Sequence, residues 1–131
     1  MIGILLITHA PLGKAFIDAV THVFRSPPER VEALDVIADQ DPDQVRQLAR
    51  EAIARIDDGA GVLVLTDIMG ATPCNSTLPL CVPGRVEVIA GVSLPMLLRA
   101  ISYRNNTLDV AAEMALAGGQ KGVCRVERPA G

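Results

Sequence analysis

Two residues of this sequence pair a reactive side chain with a place where a chain can present it. His9 follows the apolar run Ile2 to Ile7 and Thr8, and Asp67 follows the apolar run Val62 to Leu65 and Thr66. A carboxylate beside an imidazole can accept the proton on one ring nitrogen, fix the tautomer and leave the other nitrogen as a nucleophile. In such a pair Asp67 would orient and His9 would attack. Beyond Asp67 the chain reads Ile68-Met69-Gly70-Ala71-Thr72-Pro73. Pro73 suits a first helical position with Thr72 as the cap before it. Gly70 and Ala71 keep the connecting backbone uncluttered, so an anion such as a phosphoryl group can approach the N–H groups and the Thr72 hydroxyl at the helix start. Each such interaction is worth about 0.3–1 kcal/mol at an exposed helix end. The alternative is that His9 merely ends a strand as a polar group. His22, inside a helical pattern, reads as a surface or boundary residue.

For His9 and Asp67 to meet, their two strands must be parallel neighbours, and the order of elements supports this. Ile2 to Ile7 has the length and unbroken apolarity of a buried strand. Leu12, Phe16, Ala19, Val20, Val23 and Phe24 then recur at helical spacing until Ser26-Pro27-Pro28. Val31 to Ile37 alternates as a less buried strand nearer an edge. Asp41-Pro42-Asp43-Gln44 opens a second helix as cap, first residue and capping box, with Val45, Leu48, Ala49, Ala52, Ile53 and Ile56 as its stripe. After the Val62 strand, Pro79 makes the next helix kinked or very short. Val86 to Val92 is a fourth strand, Ser93-Leu94-Pro95 opens another helix, and a last helix is expected from about Leu108 to Leu116. Gly118-Gly119 then release a short edge strand, Val123 to Val126, flanked by charge. Strand alternating with helix predicts an α/β fold, an open three-layer αβα arrangement with a mainly parallel sheet of order 2-1-3-4. Ligands of such sheets sit beyond the carboxyl ends of the strands where adjacent crossovers diverge. In this order that point lies between the first and third strands, where His9 and Asp67 stand.

Composition narrows the function classes. The 131 residues predict one domain, 1–131, and half of them are hydrophobic, with only Phe16, Phe24 and Tyr103 aromatic. A core of Val, Ile, Leu and Ala suits buried parallel strands. A net charge of -3 without a basic cluster argues against nucleic acid. Cys74, Cys81 and Cys124 have no metal or redox spacing and read as buried apolar residues. No charged leader and no run of about 18 apolar residues is present, which predicts a cytoplasmic protein without membrane insertion. Gly13-Lys14 lacks the glycine and the hydroxyl that a P-loop places around it. A response-regulator receiver would need acidic metal ligands after the first strand, where Thr8-His9 stand. No metal or cofactor is expected.

Four stretches in order resemble the IIA components of the mannose-type sugar phosphotransferase system. They are Gly3 to His9 ending in Thr-His, Leu63 to Asn75 with Asp-x-x-Gly-x-Thr-Pro-x-Asn, Val88 to Leu97 reading Val-Ile-Ala-Gly-Val-Ser-Leu-Pro-Met-Leu, and Gly122-Val123. The resemblance implies that His9 accepts a phosphoryl group from the histidine-containing phosphocarrier protein and passes it to a IIB component, with Asp67 hydrogen-bonded to the ring. It also implies a homodimer in which the last strand is exchanged; pairing within one chain is the alternative. Relatives often carry Trp, Gly, Ser and Phe where this loop has Met69, Ala71, Thr72 and Cys74, and Gly where it has Ala10. Because the chain ends at Gly131, a IIB partner is expected to be a separate polypeptide. Two other roles fit the same residues: a regulatory module whose contacts change on phosphorylation of His9, and the phosphotransferase subunit of a dihydroxyacetone kinase.

Overall fold

A computed structural model describes residues 1–130. In chain order it contains β1 (Gly3–His9), α1 (Leu12–Phe24), β2 (Val31–Val36), α2 (Pro42–Ile56), β3 (Val62–Thr66), α3 (Thr72–Thr77), β4 (Val86–Ala90), α4 (Leu94–Ser102) and α5 (Leu108–Lys121), with a single 3₁₀ turn at Leu78–Leu80. The four strands form one parallel sheet in the order β2-β1-β3-β4. This is the α/β topology expected from the sequence, and it follows from unbroken apolar runs that must be covered on both faces.

The parity of β1 shows how the layers divide. Ile4 and Leu6 join Val20 of α1, Met96 and Leu97 of α4, and Ala111 and Ala115 of α5 in one core. Leu5 and Ile7 point the other way and pack with Val45, Ala49, Ala52 and Ile56 of α2. All four of these β1 side chains are wholly buried, and each contributes about 1.5–3 kcal/mol relative to an exposed position. Asp41 caps α2 through its Oδ1, which accepts from the Asp43 N–H at 3.0 Å. The bond goes to this N–H, not to the reciprocal capping box expected with Gln44. Ser93 caps α4, its Oγ accepting from the Met96 N–H.

At the end of the sheet opposite His9, Arg104 is buried and donates only to backbone carbonyls. Its Nε and Nη2 reach Ile2 O at 3.1 and 2.9 Å, Nη1 reaches Glu29 O at 2.6 Å, and Nη2 also reaches Arg30 O at 3.1 Å. Burial lowers the pKa of this guanidinium and Arg30 lowers it further, while Glu29 and Asp58 oppose the shift.

Several expectations give way. Thr72 is the first residue of α3, and Ala71 is its extended cap. The helix interrupted by Pro79 is indeed very short: α3 stops at Thr77 and hands over to the 3₁₀ turn. Gly118 and Gly119 do not end the last helix but lie inside α5. A Cβ on Gly118 would run into the Arg99 side chain, and one on Gly119 would stand 2.7 Å from Met96 Cε, so these glycines let α5 lie close against α4. Val123 to Val126 form no strand, and the two valines are 83% and 90% exposed. Cys74 is buried as expected, but Cys81 and Cys124 are exposed. The α1 stripe is also only half used: Val20 is buried, whereas Leu12, Val23 and Phe24 remain exposed. Among the described residues no helix is long and apolar enough to cross a membrane.

Candidate functional site

His9 is the last residue of β1, and the parity that sends Leu5 and Ile7 toward α2 sends its side chain the same way. It stands on the wall of a cavity of about 550 Å³, lined also by Ala10, residues 36–40 and Thr72. The ladder runs one step beyond the strands, with Ala10 N donating to Val36 O at 2.9 Å, so the loop after β2 is tied to the residue after His9. On the other face of the sheet, Asp35 of β2 accepts the Gly13 N–H at 3.1 Å and holds the first turn of α1 beside the site.

Asp67 lies directly after β3, the neighbour of β1. Its Oδ2 is 2.7 Å from His9 Nδ1 and accepts the His9 backbone N–H at 3.0 Å, while its Oδ1 accepts the Ile68 N–H at 3.0 Å. Burial raises the pKa of this carboxyl. The backbone N–H and the ring of His9 outweigh that and leave it below its ordinary value of 3.8. Asp67 is therefore an anion at neutral pH, and an anion at 2.7 Å from Nδ1 favours the tautomer with its proton there. The remaining lone pair is on Nε2. The His9 side chain is 52% exposed and that of Asp67 only 13%.

Of the other residues singled out from sequence, Thr72 is on the cavity wall with His9, and Gly70 and Ala71 are not. Gly70 has φ +87° and turns the chain between Asp67 and α3, its carbonyl accepting from Asn75 Nδ2 at 3.1 Å. Ala71 provides the cap carbonyl, which accepts the Asn75 N–H. Both shape the loop that carries Thr72. Residues 36–40 were missed as part of the site. Their position just past the carboxyl end of β2, beside β1, was the available signal. His22 is exposed and lies outside the cavity. Among the described residues no group of three His, Cys, Asp or Glu is placed to hold a metal ion.

Exposed apolar side chains flank this site. Ile37, Ile68 and Met69 are 63%, 57% and 79% exposed, and Leu12 adds to them from the start of α1.

Comparison with known proteins agrees with this architecture. The solved EIIA component from Streptococcus agalactiae superposes with a TM-score of 0.85 at 23% identity, covering 95% of this chain and 97% of that one. The mannose/sorbose-specific IIA subunit from Enterococcus faecalis also gives 0.85, at 19% identity over 98% and 97%. In sequence, the sorbose-specific EIIA component of Lacticaseibacillus casei is 30% identical over 106 residues, 79% of this chain and 74% of that protein. The mannose-specific EIIAB component of Escherichia coli K12 is 30% identical over 98 residues, 72% of this chain, and the match spans only 30% of that longer protein. The family model described as "PTS system fructose IIA component" matches residues 3–116, from the first residue of β1 into the third turn of α5, and the chain belongs to that family, the mannose-type IIA components of the phosphotransferase system.

Proposed function

We propose that the protein is a phosphocarrier whose His9 takes a phosphoryl group from the histidine-containing phosphocarrier protein and gives it to a IIB component for sugar uptake. The observation that carries this reading is the 2.7 Å pair between His9 Nδ1 and Asp67 Oδ2, which directs the basic Nε2 away from the protein. In the first step the Nε2 lone pair attacks phosphorus. The new N–P bond forms as the N–P bond of the donor breaks, and the bonding electrons leave with the donor imidazole. The Nδ1 proton stays shared with Asp67, so the positive charge that develops on the His9 ring is met by a fixed carboxylate. Transfer to IIB is the same step in reverse, with the partner's nucleophile attacking. Thr72, across the cavity, supplies a hydroxyl to the phosphoryl oxygens. The exposed apolar side chains of Ile37, Ile68 and Met69 around a half-exposed nucleophile suit a protein partner, which can cover them on docking.

Incubation with phosphoenolpyruvate, enzyme I and the phosphocarrier protein should label the wild type at one residue and leave His9→Ala unlabelled. The linkage should be acid-labile and base-stable, as phosphohistidine is. Label retained in His9→Ala, or a base-labile acyl phosphate on Asp67, would overturn the assignment.

The same reading includes a homodimer. β4 is an edge strand whose Val88, Ile89 and Ala90 are only partly buried, and the apolar Val123 and Val126 after α5 are exposed. Pairing of that terminal segment with the β4 edge of a second subunit would cover both.

A further inference from the structure

Between His9 and the first residue of α1 the chain has only Ala10 and Pro11 in which to leave the sheet, and the helix start after this corner is fastened from another strand. Pro11 stands at the cap position of α1 and carries no side-chain oxygen, and the first turn, Leu12 to Ala15, contains no carboxylate. A helix start exposes N–H groups that its own backbone leaves without acceptors. Asp35 of β2 fills this place, since its Oδ1 accepts the Gly13 N–H at 3.1 Å from 22 residues away in sequence. It caps α1 as a local aspartate would, and its charge suits the positive end of the helix. The seat is close-fitting. Asp35 pairs with Thr8 in the β1–β2 register, one step before His9 pairs with Val36. A Cβ on buried Gly13 would stand 2.7 Å from Asp35 Oδ1 and 3.1 Å from Thr8 Oγ1, so the helix start rests directly on both strands beside the residue that precedes His9.

We infer that Asp35 is a positioning residue for His9: by holding Gly13 it fixes the start of α1 and, through Pro11 and Ala10, the backbone angle at which His9 offers Nδ1 to Asp67. His9 is then held from both neighbouring strands. On the β3 side Asp67 takes its backbone N–H and its ring; on the β2 side Val36 O takes the Ala10 N–H at 2.9 Å and Asp35 takes the Gly13 N–H. Asp35 shares its strand face with Ala33, which packs in the core under α1, α4 and α5, whereas the His9 ring lies on the α2 side of the sheet. Asp35 therefore acts through the backbone. Hydrogen bonds weaken steeply as their angle opens, so a His9 backbone that turns away gives up the ring contact first. The effect on the tautomer stands on geometry alone, and the effect on transfer rests on the phosphocarrier reading.

Three variants of the full chain test this. Asp35→Ala deletes the acceptor, Asp35→Val deletes it but keeps a strand-forming side chain, and Asp35→Asn keeps an oxygen in the same place. In Asp35→Ala and Asp35→Val the ¹⁵N signals of the His9 ring, recorded where the imidazole is neutral, should move toward the tautomer protonated on Nε2. Single-turnover transfer from the phosphorylated phosphocarrier protein should slow about three- to tenfold in both, because misorientation of a nucleophile is expressed in its rate. Asp35→Asn should restore ring signals and rate to within about twofold of the wild type, since its amide oxygen still accepts the Gly13 N–H. Circular dichroism melts fix conditions in which every variant is folded, and a loss of stability alone would move neither readout there. Wild-type ring signals in folded Asp35→Val, or a wild-type transfer rate in it, would overturn the proposal. So would an Asp35→Asn as impaired as Asp35→Ala, because charge and not the hydrogen bond would then be at work. A wild type that accepts no label would instead refute the phosphocarrier reading, and the ring signals would still decide whether Asp35 positions His9.

Discussion

Replacing Asp67 separates orientation of the histidine from phosphoryl transfer itself. The carboxylate accepts three N–H groups on two oxygens: the His9 ring and backbone on Oδ2, and the Ile68 backbone on Oδ1. An asparagine has one oxygen for these three donors. Its better orientation keeps the oxygen toward His9, where two donors meet, and turns its amide N–H against that of Ile68. The ring then retains a neutral acceptor and loses the charge. Hydrogen bonds to charged groups are worth about 1.5–3 kcal/mol and neutral ones about 0.5–1.5, so the loss is about 1–1.5 kcal/mol. If it is expressed in the transition state, Asp67→Asn should transfer about tenfold more slowly. Asp67→Ala removes the whole bond and should be slower by roughly ten- to a hundredfold. Because the Asp67 pKa lies below its ordinary value, the carboxylate is ionised across the neutral range, and the three proteins are compared in one buffer at one pH. The assay is single-turnover transfer from the phosphorylated phosphocarrier protein by rapid quench, with circular dichroism melts to match the folded fractions. In both variants His9 should remain the labelled residue. Equal rates in wild type, Asp67→Asn and Asp67→Ala would show that the pair at 2.7 Å does not govern the nucleophile, and the role drawn for the crevice between β1 and β3 would fall.

Three further expectations concern the scaffold. Arg104→Met should lose about 2–4 kcal/mol of stability in urea unfolding, since it leaves the carbonyls of Ile2, Glu29 and Arg30 without this donor; an unchanged midpoint would refute the bridging role. Gly13→Ala should destabilise by about 1–2 kcal/mol despite the better helix propensity of alanine, because the new Cβ would stand 2.7 Å from Asp35 Oδ1 and 3.0 Å from the Ala33 Cβ; a stabilised variant would show that α1 can move away from β2 without cost. On the proposed homodimer, the full chain should sediment as a dimer and a chain truncated before Gly122 as a monomer, and a dimer of unchanged affinity after truncation would exclude a role for the terminal segment.

How much of this was legible in the sequence depended on how local each cause is. Buried strands announce themselves by unbroken runs, so β1 and β3 and the residues that end them could be read directly, and from their neighbourhood the meeting of His9 with Asp67. Caps are local too, and Asp41 and Ser93 were found. Gly118-Gly119 misled because a glycine pair looks the same whether it frees the backbone or admits a neighbouring helix, and only the packing of Met96 and Arg99 against α5 decides between them. The exposure of Cys81 and Cys124 was hidden for the same reason: residue type gives a preference for burial, and the end of the helix sets the outcome. Arg104 acts on Ile2, 102 residues away, and no spacing rule reaches that far.

The Arg104 clasp divides the work between the two ends of the sheet. It gathers the first turns of backbone before β1 and β2 with hydrogen bonds that never involve another side chain, so carbonyls that any sequence would supply are what it recognises. The consequence is an asymmetry in what substitution can reach. The loops at the His9 end make none of these hydrogen bonds, so a substitution confined to them leaves this clasp in place. Replacement of one arginine, 102 residues from the Ile2 carbonyl it holds, would instead unfasten the frame that carries those loops.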